Sequence, residues 1–293
     1  MGAANDGLFG AILLNLDRDT ARRNWMEAQL AAANIAFERQ SGVLGKDGIP
    51  PAVAPFFTAE TPAFTHPLRV GEIGCYASHL MAMQRVASGA LGPVALVMED
   101  DLIVATDLVA IIRDALTKLP SGWDMLRLSN PPKRATKIVA RLSDGRDIIR
   151  YSKIPNSAGA FLVTVEGARK FLKPVPRVLP ADEDMRRPWR FGLQEYGIVP
   201  APVQPDILDR SSIESLQPKS AIKKGGPLFE TLRKVEFSHL FERPASNIRD
   251  LGLGGWLWCL ARNGWDRIAK ATGLPGRIRH AEPFRVTGAP PRG

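Results

Sequence analysis

The hydrophobic pattern of the first two hundred residues switches repeatedly between two periods. Continuous apolar runs bounded by turn residues read as strands buried on both faces. The first covers Phe9 to Leu16. Another, Pro93-Val94-Ala95-Leu96-Val97-Met98, runs straight into Glu99, Asp100 and Asp101, and the chain turns apolar again at Leu102-Ile103-Val104. Between them, Ala21 to Ala33 carries Trp25, Met26, Ala28, Leu30 and Ala32, a helix with Asp19 or Thr20 as its N-cap. Ile35-Ala36-Phe37 then restarts strand character. Ile73, Tyr76, Leu80 and Met83 recur at helical spacing between Gly71 and Ser88.

Further along, the spacing predicts a helix over Leu108–Lys118, stopped by Pro120-Ser121-Gly122, and a strand over Asp124–Leu128. Lys137–Leu142 and Asp147–Tyr151 flank Ser143-Asp144-Gly145-Arg146, a hairpin signature. Small residues from Asn156 to Ala160 lead into Phe161-Leu162-Val163, and Thr164 caps a helix over Val165–Lys173. Ile198-Val199 and Val203, broken by Pro200 and Pro202, predict a last edge strand, because proline lacks the N–H that a central ladder needs. Ser41 to Pro67 is rich in Gly and Pro and reads as a loop, and Ser211-Ser212-Ile213 ends the compact part. A β-α-β opening followed by alternating elements predicts an α/β fold with a doubly wound sheet.

From Pro218 the composition shifts, and Lys223-Lys224-Gly225-Gly226-Pro227 predicts a linker. Over Leu251–Lys270 a helical wheel gathers Leu253, Leu257, Trp258, Leu260, Trp265 and Ile268 on one broad arc. Arg262, Asp266, Arg267 and Lys270 take the other, with Trp256 and Cys259 as exceptions. Such a helix packs on the body of the protein or lies in a membrane interface, and packing is the simpler expectation. The expected division is a compact domain over residues 7–217 and a basic, partly helical extension over 218–293.

Composition narrows the function classes. Two distant cysteines, Cys75 and Cys259, exclude a disulfide scaffold and a zinc cluster of thiols alone. No apolar run approaches the ~18 residues of a membrane-spanning helix, and no signal-peptide pattern is present, so a cytoplasmic setting is expected. The net charge of +9 is uneven: thirteen Lys and Arg face six Asp and Glu from Ala221 onward, against 26 and 24 before it. A basic tail suits an anionic lipid surface or nucleic acid, or serves solubility alone. Nucleic acid is not an expected partner, because the tail has no nucleic-acid motif and its Trp residues lie on the apolar arc rather than among the charges.

Three adjacent carboxylates repel one another unless a cation or water intervenes. Open α/β sheets bind ligands at the carboxyl ends of their strands. Glu99, Asp100 and Asp101 therefore read either as a site for a divalent cation, Mn²⁺ or Mg²⁺, with a diphosphate, or as a solvated acidic turn. Asn15, Asp17, Arg18, Arg22 and Arg23 stand where a nucleotide can be held, or where a helix is merely capped. Ser78 and His79 lie close to the opening turn of their helix, although a lone helical His is more often structural. The dinucleotide fingerprint Gly-x-Gly-x-x-Gly is absent. A second acidic cluster, Asp182, Glu183 and Asp184, precedes Arg186, Arg187 and Arg190; it reads as a salt-bridge network or as a base beside phosphate clamps.

Taken in order, five blocks resemble family-25 glycosyltransferases, the lipopolysaccharide-biosynthesis and collagen-galactosyltransferase relatives. They are Leu14-Asn15-Leu16-Asp17-Arg18 with Arg22-Arg23, Gly71 through His79, Val97-Met98-Glu99-Asp100-Asp101, Ala158 to Lys170, and Pro180-Ala181-Asp182. The resemblance implies a GT-A-like, Rossmann-type mixed sheet flanked by helices, with the basic helical extension outside it. It implies a divalent cation at Glu99, Asp100 and Asp101, and donor binding by Asn15, Asp17, Arg18, Arg22, Glu72, Gly74, Ser78 and His79. It singles out Asp182 as catalytic base, with Asp184 as the alternative. The implied reaction moves a hexose, galactose from UDP-galactose first, with inversion to a saccharide or glycolipid acceptor of lipopolysaccharide or another surface glycan. The expected place of work is the cytoplasm, with peripheral attachment to the inner face of the cytoplasmic membrane. The rival reading is an inactive GT-A-fold protein that binds a sugar nucleotide or glycan.

Overall fold

The computed structural model describes residue 5 and residues 7–57, 67–129, 131–206 and 227–273. Alternation along its central strands decides which helix covers which face. β1 (Gly10–Asn15) pairs in parallel with β2 (Glu38–Ser41) on one side and β3 (Val94–Met98) on the other. Leu13, Leu96 and Met98 point to one face, where α1 (Thr20–Ala32) and α3 (Leu108–Lys118) contribute Met26, Leu30, Leu108, Ile111 and Ile112. Ile12, Leu14, Ala95 and Val97 point to the opposite face, toward α2 (Val70–Ala87) and α4 (Val165–Phe171) with Tyr76, Leu80, Met83, Val86, Ala168 and Phe171. Full burial of each Val, Leu, Ile, Met or Phe among them stabilises by roughly 1.5–3 kcal/mol.

The sheet continues through β8 (Ala160–Thr164), β5 (Met125–Arg127), β9 (Glu195–Val199), β7 (Asp147–Tyr151) and β6 (Thr136–Arg141), in the order β2-β1-β3-β8-β5-β9-β7-β6. It is mixed: β8 runs antiparallel to both β3 and β5, β9 is parallel to β5, and β7 is antiparallel to both β9 and β6. This is the α/β architecture expected, a mixed sheet flanked by helices. β1 passes through α1 to β2, and β2 returns through α2 across β1 to β3. The order therefore reverses between β1 and β3, with α1 and α2 on opposite faces, which opens a crevice at the strands' carboxyl ends.

Three sequence expectations need correction. Ile35 and Phe37 precede β2 because the end of α1 claims Ile35: its N–H bonds to Leu30 O, while Asn34, at φ 54°, donates to Ala31 O. That pair of bonds is a Schellman ending with Asn in the left-handed position. The expected edge strand is in fact the central β9, since Pro200 and Pro202 fall beyond its last residue. Val203 belongs to β10 (Val203–Pro205), which pairs with β4 (Leu102–Val104) in a separate two-stranded sheet. The third concerns the extension. α6 (Pro227–Leu251) is a helix of 25 residues containing Pro244, and no sequence signal announced it. α7 (Leu253–Thr272) packs through the exceptions on its wheel: Cys259 is 1% exposed and joins Trp256, Leu251 and Ala135. Its broad apolar arc faces outward, with Leu253 59% and Trp258 56% exposed. Ser211–Ile213 and the linker residues 223–226 lie outside the described residues, as does the 217/218 boundary. Among the described residues, no helix is long and apolar enough to cross a membrane.

One buried ion pair ties the sheet to α5 (Ala181–Met185). Arg127 on β5 and Glu195 on β9 are each 1% exposed, with Nε 2.9 Å from Oε2. Arg127 also donates to Ser157 O at 2.8 Å and to Met185 O at 2.5 Å, which fixes the end of α5 against the sheet. Glu195 Oε1 has no partner among the described residues, so the guanidinium carries most of the compensation for this buried carboxylate. Arg127→Met should therefore cost about 3–5 kcal/mol in urea unfolding, and Arg127→Met with Glu195→Leu should recover most of it. A single-variant loss below about 1 kcal/mol would contradict the role assigned to the pair.

Candidate active site

Four short segments meet at the crevice between β1 and β3. The β1–α1 junction contributes Asn15, Arg18, Asp19 and Arg22. The stretch after β2 contributes Gly42 to Lys46, and the start of α2 adds Arg69, Val70, Gly71, Cys75, Ser78 and His79. The end of β3 closes it with Glu99, Asp100 and Asp101. The cleft has a volume of about 210 Å³, many times the roughly 10–15 Å³ of one enclosed water.

The three acids at the end of β3 have different surroundings. Asp100 Oδ2 accepts from Asn15 Nδ2 at 2.7 Å, and its Oδ1 lies 3.3 Å from Arg22 Nη1. Burial still lifts its carboxyl above the ordinary range, with Asn15 and Arg22 opposing the rise. Glu99 Oε1 lies 2.9 Å from His79 Nε2. His79 Nδ1 has no partner among the described residues, so Nε2 is the nitrogen tied to the carboxylate. Its ring is 1% exposed and stacks on Phe161 at 6.1 Å. Among the described residues, Asp101 has no side-chain cation of its own in hydrogen-bond reach. Burial, with Glu99 and Asp100 adding repulsion, pushes its carboxyl up to about 6.

Cys75 sits 3.9 Å from Glu99 Oε1. Burial, then Glu99, Asp182 and Asp101, drive its thiol well above the normal range, which keeps it protonated and poorly nucleophilic. Cys75, His79 and Glu99 bring one sulfur, one nitrogen and one oxygen within 4.8 Å of one another. That mixed trio suits softer ions. The Glu99 and Asp101 oxygens suit a hard one.

Asp182 stands on the first turn of α5, outside the residues lining the cleft but within electrostatic range of Glu99 and Cys75. Burial raises its carboxyl; the Glu183 N–H, 2.8 Å from Oδ1, holds it back, while Glu183 and Glu99 raise it further. Asp184 points the other way. Its side chain is fully buried, accepts from Tyr76 OH at 2.8 Å and pairs with Arg190, so it anchors α5 to α2.

Of the remaining candidates, Asn15, Arg18, Arg22, Ser78 and His79 line the cleft, whereas Asp17, Glu72 and Gly74 do not. Asp17 is exposed and held by Arg39 and Ser41. Glu72 Oε2 accepts from Arg69 N–H at 2.8 Å, capping α2. Gly74 lets the 42–46 segment press on the helix: a Cβ there would come 2.4 Å from Val43 O. Ser78 Oγ pins that segment by accepting from Val43 N–H at 2.8 Å. Sequence reasoning missed Lys46 and Arg69, cations at the mouth. The available signal was Gly42 with Gly45, whose added Cβ would meet Val70 O at 1.9 Å.

A doubly wound mixed sheet, with an acid-tipped central strand and an arginine-flanked cleft at its switch point, defines an α/β protein built to hold a charged ligand. The chain belongs to glycosyltransferase family 25: the family profile, described as "Glycosyltransferase family 25 (LPS biosynthesis protein)", matches residues 10–185. An Anopheles gambiae protein named "Glycosyltransferase 25 family member" is 26% identical over 182 residues. The match covers 58% of this chain but 30% of that relative, so the chain spans under a third of its relative's length. The crystal structure of mouse xyloside xylosyltransferase 1 in its apo form aligns over 64% of this chain and 77% of that one, with TM-score 0.32 and 9% identity. That likeness is too slight to bear on function.

The unmatched acid gives a prediction about pH. Asp101 titrates near 6 in the folded chain, above the roughly 3.9 of an unfolded aspartate. Its contribution to stability is therefore fully present below the unfolded value and is lost as pH rises through about 6. With divalent ions chelated, Asp101→Asn should stabilise the protein at pH 7.5 by on the order of 2–3 kcal/mol and change little near pH 4. An equal effect at both pH values in urea titrations would contradict the assignment.

Proposed function

We propose that this chain is a metal-dependent, inverting hexosyltransferase, which moves galactose or a similar hexose from a UDP donor to a saccharide or glycolipid acceptor of a surface glycan. The observation that carries the reading is Asp101 at the switch point, left without a side-chain cation among the described residues, while Asp100 is taken by Asn15 and Arg22 and Glu99 by His79. Oxygen donors and an Asp101 carboxyl lifted by burial and then by its neighbours' charge fit a hard divalent ion, Mn²⁺ or Mg²⁺, and Glu99 and Asp101 would hold it. Such an ion, when bound, neutralises the charge that grows on a departing diphosphate. Arg18, Lys46 and Arg69 around the mouth suit the phosphates and ribose of the donor. Asn15 orients the cleft by holding Asp100, and Ser78 fixes the segment that forms its wall.

Asp182 is the base in this reading. It takes the proton from the acceptor hydroxyl, and burial beside other acids makes it a better proton acceptor than an ordinary aspartate. Asp184, held by Tyr76 and Arg190, serves the structure instead. UDP release from UDP-galactose and other UDP-hexoses, with Mn²⁺ and a saccharide acceptor, tests the function. Asp182→Asn should cut turnover by about 10²-fold or more and leave UDP affinity nearly unchanged. Normal turnover in that variant would remove Asp182 from the mechanism. UDP binding with no turnover on any donor would favour the inactive binding protein.

The C-terminal helices support docking on the cytoplasmic face of an anionic membrane. Leu253, Leu257, Trp258, Leu260, Trp265 and Ile268 of α7, and Phe237, Leu240 and Phe241 of α6, are all exposed. Arg233, Lys234, Arg249, Arg267 and Lys270 are exposed beside them, the pairing that interfacial helices use on acidic lipids. The protein should sediment with phosphatidylserine vesicles at low salt and less with neutral ones. Gln at positions 257, 258 and 265 should abolish the difference. Equal sedimentation with both vesicle types, unchanged by the substitutions, would overturn it.

A further inference from the structure

A second, smaller cavity lies at the C-terminal end of α5, where α6 packs against the body. It is lined by Arg150–Ile154 at the end of β7 and beyond, by Arg186–Trp189 after α5, and by His239, Arg243 and Asn247 of α6 among others. Its volume is about 50 Å³. At roughly 10–15 Å³ per enclosed water, that accommodates one tetrahedral oxyanion and little more.

Its charge is out of balance. Lys153, Arg186, Arg187 and Arg243 converge there, while Glu183 alone answers both Arg186 and Arg187, at 2.5 and 2.7 Å. Among the described residues, Arg243 donates only to the backbone oxygen of Ser152, at 3.3 Å. Lys153 has no hydrogen-bond or ion-pair partner among the described residues. Of the acids on the wall, Glu195 belongs to Arg127, and Asp250 is engaged by Ser246 and Arg249. Three nitrogens on the lining, Arg187 Nε, Trp189 Nε1 and His239 Nδ1, are buried with no partner among the described residues. Buried polar atoms in native proteins are nearly always satisfied, so three together mark a place built for a ligand. Mutual repulsion lowers the Lys153 and Arg243 pKa values, after burial, and holds His239 at about 4, so the imidazole is neutral.

We propose that this cavity binds a phosphate group and that the acceptor saccharide carries it. Two short pieces of chain connect it to the cleft. α5 has Asp182 in its first turn and Arg186 at its end, and the segment after β7 runs on to Gly159, whose oxygen accepts from Glu99 N–H at 2.8 Å. The phosphate site stands by itself; its assignment to the acceptor rests on the transferase reading.

Calorimetry on the full chain, without UDP or metal, tests both halves, with inorganic phosphate and glucose 6-phosphate as probes. Wild type should bind both, the sugar phosphate more tightly. Lys153→Gln, which removes no structural bond, and Arg243→Gln should each weaken binding about tenfold while UDP–Mn²⁺ affinity stays unchanged. No phosphate binding by wild type, or full affinity in both variants, would overturn the site. A sugar phosphate bound no tighter than inorganic phosphate would overturn the acceptor assignment. Phosphate binding that survives in a protein without transferase activity would leave the site standing and remove the transferase reading.

Discussion

Three consecutive carboxylates at the end of a strand buried on both faces impose the constraint around which this molecule is arranged. Charges so close, in a poorly solvating place, cannot all persist unless each finds compensation. The fold provides it unequally. Asn15, from the parallel neighbour β1, and Arg22, from the first turns of α1, take Asp100, and this clamp joins the two strands across the switch point. His79 from α2 takes Glu99. Asp101 is left with the repulsion of both. Elements on opposite faces of the sheet thus converge on one strand end, and the shortfall there is what the proposed cation would answer.

The rest of the architecture holds those elements at the right distance. Tyr76 of α2 and Arg190 anchor Asp184, while Arg127 carries the end of α5 to the sheet. Asp182 is consequently fixed near Glu99 without touching it. The same short helix turns Arg186 and Arg187 toward α6. Asp182 at the start of α5 thus lies in electrostatic range of Glu99, while Arg186 at its end lines the basic cavity. The C-terminal helices complete the basic side and leave their apolar arcs outward.

Much of this was legible in the sequence because strong local signals agreed with the tertiary outcome. The apolar run into Glu99 named the strand and the cleft together. The helix over Leu108–Lys118 and the hairpin at Asp144-Gly145 carried their own stop and turn residues. What was not legible depended on distant partners. Ile35 looks like the start of a strand until Asn34 bends the chain back on α1. β9 looks like an edge until its prolines are seen to lie past its end. Asp182 and Asp184, two residues apart on one helical turn, read alike, and it is Tyr76, more than a hundred residues away in the chain, together with Arg190 that marks Asp184 as the anchored acid. For α7 the wheel was drawn correctly, but the side facing the body was the one with Trp256 and Cys259, since packing there needed a small contact and not the broad arc.

The central claim is the unequal division of the three acids, and it is tested most directly by counting bound Mn²⁺. Electron paramagnetic resonance of the free ion, titrated into the protein with saturating UDP, measures occupancy without needing an acceptor. The account predicts a single site in the wild type, a loss of at least about tenfold in affinity for Asp101→Asn, and near-normal affinity for Asp100→Asn, whose carboxylate is already engaged. Equal losses in both variants, or an unchanged Mn²⁺ affinity in Asp101→Asn, would contradict it.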